Sequence, residues 1–251
     1  VGMGSVSHLH TGGNRTLGTT TTDIRQMPDW RSFEGVHARL VPASRLGPSR
    51  RAVDYAWEIA PGVFEVLCVP DGGGFRYLSS EQLRGLAPGP LAELRAVARR
   101  NSAAVPVDSV ELHNRRAGEY QQLSGSSPFV AAKILDPAAA GLLPGGSGAG
   151  PVLVEPAEPG AGEVALLAGM PSAYTLLVHR LRSLPEFVSA VDAMVTACRR
   201  SREVLPAPLS ADLFLWRRGA LHRITRVDAA SGDILMDEPA ELQNALADLA
   251  H

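Results

Sequence analysis

The sequence predicts an α+β protein, mainly antiparallel sheets made of hairpins with helices packed on one face. Three features predict it. Strand-length apolar runs come in pairs joined by turn residues, at 63–69 with 75–78, at 164–170 with 174–179 and at 213–216 with 221–225. Residues 184–200 place Leu184, Phe187, Val188, Val191, Met194, Val195 and Cys198 at helical spacings, as an amphipathic helix requires. The order of hairpin then capped helix occurs at 63–101 and again at 162–200, which points to two similar hairpin-helix halves.

Residues 1–28 read as a flexible N-terminal arm, because the Gly-, Ser- and Thr-rich start has no periodicity; residues 29–251 then form a single α+β domain. The arm holds His8 and His10, an H-x-H pair of metal-hydrolase form. Its Gly and Thr flanks provide no rigid strand, and no later Asp/His cluster completes a ligand set, so disorder is the better reading. Residues 29–54 are loop-rich, with Trp30 and Phe33 as candidates to dock on the body and a short strand at 36–41. Arg45, Arg50 and Arg51 there read as a solvated loop.

Val63, Phe64, Val66, Leu67 and Val69 make a strand that is apolar nearly throughout, which predicts cover on both faces. Asp71-Gly72-Gly73-Gly74 turns it back into Phe75, Tyr77 and Leu78. The glycines suit a turn better than a phosphate cradle, since a phosphate loop runs from a strand into a helix and these join two strands. Ser79 with Gln82 has the form of a capping box, and Leu78 with Leu83 that of a hydrophobic staple. After Ala87-Pro88-Gly89, helical spacing resumes through Leu91, Leu94, Val97 and Ala98 to Arg100-Asn101.

A stretch at 105–112, a polar turn at 114–118 and a strand at 119–123 follow. Ser127 then reads as the cap of a helix with Pro128 first and Phe129, Val130, Ile134 and Leu135 inward. Residues 141–162 form a Gly/Pro-rich loop, read as mobile. Pro171-Ser172 predicts the next turn, and Ser183 with Glu186 predicts a capping box ahead of the 184–200 helix. The chain closes with a hairpin turning at Arg218-Gly219, a strand at 234–236 and a helix at 239–249 with Leu242, Leu246 and Leu249 inward.

Several stretches together resemble the uncharacterised bacterial proteins of the YtpQ type. They are Phe75-Arg76-Tyr77-Leu78-Ser79 leading to Ala98-Arg99-Arg100-Asn101, then Gly118-Glu119-Tyr120, then Gly162-Glu163-Val164-Ala165 with Met170-Pro171. The resemblance spans 63–225 and implies the same fold. It brings no catalytic residue with it. The Gly/Pro-rich 142–159 segment and the Thr-rich arm depart from the pattern.

Chemistry is sparse. The 251 residues carry a net charge of -2, so no broad field draws the chain to nucleic acid or an anionic membrane. No run approaches the roughly eighteen apolar residues that span a bilayer, and the start lacks the pattern of a secretion signal, which together predict a cytoplasmic protein. Cys68 and Cys198 lie in apolar patterns and read as buried thiols. No Gly-x-Ser-x-Gly elbow occurs. His179 reads as a hydrogen-bonded strand end and His113 as a solvated turn residue. Asp54 with Glu58, and Asp233 with Asp237 and Glu238, lack the spacing of a metal or glycosidase site. No catalytic, cofactor-binding or metal residue is expected.

The best functional surface is the last hairpin, where Trp216, Arg217, Arg218, His222 and Arg223 bring an aromatic and several cations to one ribbon. Trp and Arg dominate binding hot spots, so this ribbon could recognise another protein. In the competing reading Trp216 packs in the core and the arginines guard an edge strand. The expected role is a non-enzymatic accessory protein acting by protein binding, immunity or chaperone-like roles included. The alternative is an enzyme, a hydrolase, with a site of dispersed residues.

Overall fold

The computed structural model describes residues 35–47, 52–84, 88–115, 118–143, 164–228 and 231–249. The arm, Trp30, Phe33, Arg50, Arg51, and the 144–163 part of the Gly/Pro-rich loop lie outside the described residues.

The first sheet is organised on β3 (Val63–Asp71). On one edge it pairs antiparallel with β1 (His37–Pro42). On the other it pairs in turn with β2 (Trp57–Ala60) and β4 (Gly74–Tyr77). The first six residues of β3 are buried, as its uniformly apolar sequence requires. The exception is Glu65, a buried carboxylate whose partner is described below. The β3–β4 turn is glycine-bearing, with Gly72 and Gly73 at φ 52° and 89°.

The cap predicted at Ser79 is complete. Its hydroxyl accepts from Gln82 N, and Gln82 Oε1 accepts from Ser79 N, at the start of the short helix α2 (Ser80–Leu83); an earlier single turn, α1 (Ala43–Leu46), follows β1. The main helix of this half, α3 (Pro88–Ala104), lays Leu94 and Ala98 on Val36, Ala38 and Leu67. Ser102 of α3 also satisfies the outer edge of β1. Its hydroxyl accepts from Ala38 N and lies 2.9 Å from Ala38 O, so an edge strand is closed by a helix.

The second sheet has six antiparallel strands. They are β5 (Ser109–Arg115), β6 (Gly118–Ser124), β7 (Leu166–Ser172), β8 (Thr175–Arg180), β9 (Leu213–Arg217) and β10 (Ala220–Arg223), in the order β10-β9-β7-β8-β6-β5. The β7–β8 turn sits at Ala173–Tyr174 rather than at Pro171-Ser172. A register shift between Gly169 and Ser172 carries Pro171 within the strand and delays the reversal.

Helix α4 (Leu184–Val204) covers one face of this sheet, with Phe187, Ala190, Met194, Val195 and Cys198 buried on Leu167, Leu177, Leu213 and Leu215. The buried stripe differs from the expected one. Leu184 and Val188 remain more than half exposed. The five buried residues centre close to Phe187, with Val195 at the edge of the stripe, and Val188 lies past that edge, roughly 100° off the axis at 3.6 residues per turn. Ser183 Oγ accepts from Glu186 N, so the serine half of the predicted cap forms. The last helix, α5 (Ala240–Asp248), adds Leu242 and Ala245 to the same cluster.

The other face of the second sheet meets the first. Leu166, Ala168, Met170, Leu176, Val178 and Phe214 share a cluster with Leu40, Ala60 and Val63. Between them lies the segment after Ser127, which is a 3-10 helix at Ala131–Leu135 rather than the expected α-helix. It is buried all round, not on one stripe, and Ala131 N donates to Ala173 O across the core. That tertiary bond and i→i+3 bonding from Phe129 and Val130 replace the α-helical ladder. After β10 the chain crosses into a separate ribbon, β11 (Thr225–Val227) with β12 (Ile234–Met236), so Thr225 belongs there and not to the last hairpin of the sheet. No described helix is long and apolar enough to cross a membrane.

Candidate functional site

Strand periodicity divides the last hairpin. Successive residues of β9 face opposite ways, and the register pairs Leu221 with Trp216 and Arg223 with Phe214 on one side, His222 with Leu215 and Ala220 with Arg217 on the other. Arg217, 3 % exposed, is held beneath α5. Its Nη2 donates to Asp248 at 2.6 Å and its Nη1 to Glu241 O at 3.3 Å. Arg223 donates to Asp237 at 2.8 Å, and Asp237 also accepts from Arg226 at 3.2 Å. His222 is half-buried beside Met236 and Pro239. Arg218 and Gly219, at φ 50° and 78°, make the tight two-residue turn and expose Arg218 at the tip. The five residues therefore do not form one patch.

Trp216 and Leu221 turn instead toward a cleft of about 610 Å³, where β2 of the first sheet runs beside β10 of the second. Helix α3 forms its floor through Ala92 and Ala96, one turn apart, with Arg95, Arg99 and Arg100 above them. Trp57 and Ile59 of β2 close one side. Ile134 and Leu135 of the 3-10 segment and Asp136 just after it close another, and Gly219 of the turn with Ala220 at the start of β10 completes the lining.

Two of the three arginines are fixed from behind. Arg99 makes a bidentate pair with Glu65, Nε to Oε1 at 2.9 Å and Nη2 to Oε2 at 2.5 Å. Glu65 is 1 % exposed, so this pair explains how a carboxylate survives inside β3. The hydrogen bonds to Glu65 push the Arg99 guanidinium pKa up, against burial. Arg95 Nη2 donates to Tyr55 O at 2.6 Å, and its guanidinium lies 5.2 Å over the Trp57 ring. Burial holds the Arg95 pKa below its ordinary value, with Glu65 opposing that in part. Arg100 is exposed on the rim with no ion pair to a described residue.

Each guanidinium carries five N–H donors, and these bonds use two on Arg99 and one on Arg95. The cleft thus presents immobilised guanidinium groups with donors not committed to another described residue, between aromatic and aliphatic walls. Sequence reasoning missed it. The Ala92/Ala96 and Arg95/Arg99 pairs at four-residue spacing were its only local trace, while Trp57 and Trp216 lie far away in the chain.

The remaining sequence candidates have structural roles. His179 Nδ1 donates to Glu119 O at 2.6 Å, and burial pushes its pKa down. His113 lies in β5 with its ring stacked on Tyr120 at 4.8 Å, not in a solvated turn. Glu58 accepts from Gly62 N, and both cysteines are free and buried. Lys133, the only lysine of the chain, is buried and donates to Ala103 O and Val105 O at the end of α3, where a cation suits the helix dipole. Burial pushes its pKa down to about 8. Among the described residues no group of three or more His, Cys, Asp or Glu is placed to hold a metal ion. No protein-family model, curated protein or solved structure matches the chain.

Proposed function

We propose that the chain is a non-enzymatic cytoplasmic accessory protein of the YtpQ type that acts by binding another protein, with the cleft faced by Trp216 as the binding seat. One observation carries this reading. Trp57, Trp216 and three arginines meet in a single concavity, the residue types that dominate binding hot spots. The described lining residues include one carboxylate, Asp136, and it accepts from Ala139 N in its own turn. This composition supports recognition.

The hairpin residues named from the sequence enter unequally. Trp216 contributes a wall and Arg218 the exposed tip. Arg217 and Arg223 hold the ribbon in place. The test is affinity capture from an extract of the source cells on immobilised full-length chain, with mass spectrometry. One partner in stoichiometric amount is expected, lost on Trp216→Ala and weakened on Arg218→Ala. Recovery of general chaperones alone, or full retention of the partner by Trp216→Ala, refutes the reading.

A further inference from the structure

We propose that the occupant of the cleft is an acidic segment of the partner protein, carrying two or more carboxylates around one aliphatic or aromatic anchor. This rests on the reading that the cleft is a protein-binding seat, and it adds the chemistry of what binds.

The charge argument is local. Arg95, Arg99 and Arg100 face Glu65 and Asp136, a surplus of one positive charge at the cleft of a chain whose net charge is -2. Glu65 is consumed, since both of its oxygens accept from Arg99. What remains exposed to an incoming group is the outer edges of two fixed guanidinium planes and the side chain of Arg100. Planar forks of this kind match carboxylates two donors at a time. Fixing Arg99 on Glu65 and Arg95 on Trp57 and Tyr55 removes the ordering cost that a flexible arginine would carry into binding.

The apolar argument is separate. Trp57 is 56 % exposed, an unusual exposure for a tryptophan beside a cleft, and the half-buried Leu135 and Leu221 line the same cleft. An anchor side chain entering between them removes this surface from water, while the flanking carboxylates reach Arg95, Arg99 and Arg100 of α3. The volume of about 610 Å³ accommodates a few side chains, within the usual range of ligand sites.

The test selects from a random peptide display library on the full-length chain. Enriched peptides should carry Asp or Glu on both sides of a Leu, Phe or Trp. Their affinity for the unmodified chain should fall at least about tenfold between about 0.05 M and 0.5 M salt. Arg100→Glu should weaken them about tenfold or more, and Arg100→Lys far less. Arg100 lies exposed on the helix surface, so its substitution leaves the fold intact, which circular dichroism verifies.

Enrichment of neutral or basic peptides, or equal binding by Arg100→Glu, overturns the proposal. So does complete displacement by inorganic phosphate at constant ionic strength, which would mark a phosphate site. If the cellular partner is captured and lost on Trp216→Ala while acidic peptides fail, the binding reading survives and this inference does not.

Discussion

Gly169 is the position where a single methyl group should disturb this fold most. It lies in β7 opposite Leu177 of β8 and Leu213 of β9, directly under Cys198 of α4. A Cβ added there would stand 2.5 Å from Cys198 Sγ, 3.1 Å from Leu213 Cδ2 and 3.4 Å from Leu177 Cβ. Ordinary contact needs roughly 3.5–4.0 Å, so the thiol overlaps the new methyl by about 1 Å. Cys198 is fully buried within the cluster of Leu167, Leu177, Leu213 and Leu215.

Overpacking of this kind costs about 1–3 kcal/mol, and the upper half of that range applies because the closest atom belongs to a short, fully buried side chain rather than to the end of a long flexible one. The loss of glycine freedom in the unfolded chain offsets about 0.5 kcal/mol. Gly169→Ala should therefore destabilise by about 2 kcal/mol in urea unfolding. Cys198→Ala alone removes one buried sulfur and should cost about 1 kcal/mol. The double variant removes the clash, so its loss should fall short of the sum by at least about 1 kcal/mol. Additivity within about 0.5 kcal/mol, or a neutral Gly169→Ala, refutes the packing argument.

Two further predictions concern buried charge. Arg99→Met leaves Glu65 unpaired inside β3 and should cost about 3–5 kcal/mol, while Glu65→Leu with Arg99→Met should recover most of that by thermal unfolding; equal losses in both would show that the pair itself, not the stranded carboxylate, is at stake. Lys133 gives a pH signature. Its amine titrates at about 8 in the fold against 10.5 when unfolded. Below pH 8 both states are protonated and the full burial penalty stands. Between 8 and 10.5 the folded state sheds a proton that the unfolded state keeps, so this lysine's contribution to stability rises with pH. The stability of the unmodified chain relative to Lys133→Met should rise by up to about 3 kcal/mol across that window; a flat difference would show that the bonds to Ala103 O and Val105 O offset the burial of the charge.

Much of the fold was legible because its signals are local. The glycines at 72–74 can adopt left-handed backbone, so they predicted a turn and a turn formed. Ser79 and Gln82 are three residues apart and could only bond each other in a helix start. Arg218-Gly219 likewise announced its turn. Failures arose where a distant group competed with the local preference. The segment after Ser127 has the composition of an α-helix, but burial on every side and the bond from Ala131 N to Ala173 O drew it into a 3-10 turn. Val188 obeys helical spacing, yet Ala190 rather than Val188 meets the sheet.

The candidate site shows the same division. That Trp216 and Arg217 must face opposite ways follows from the two-residue period of a strand, and could have been read without a structure. That Arg217 ends on Asp248 and Trp216 on a cleft could not. By itself the sequence determined periodicities, turns and caps, since these depend on residues within one or two turns of each other. Only the tertiary structure decided that β2, α3, the 3-10 segment and the last hairpin converge, that Glu65 holds Arg99, and that Gly169 admits Cys198. Those outcomes depend on how two sheets pack across a shared core, and no short-range pattern encodes that distance.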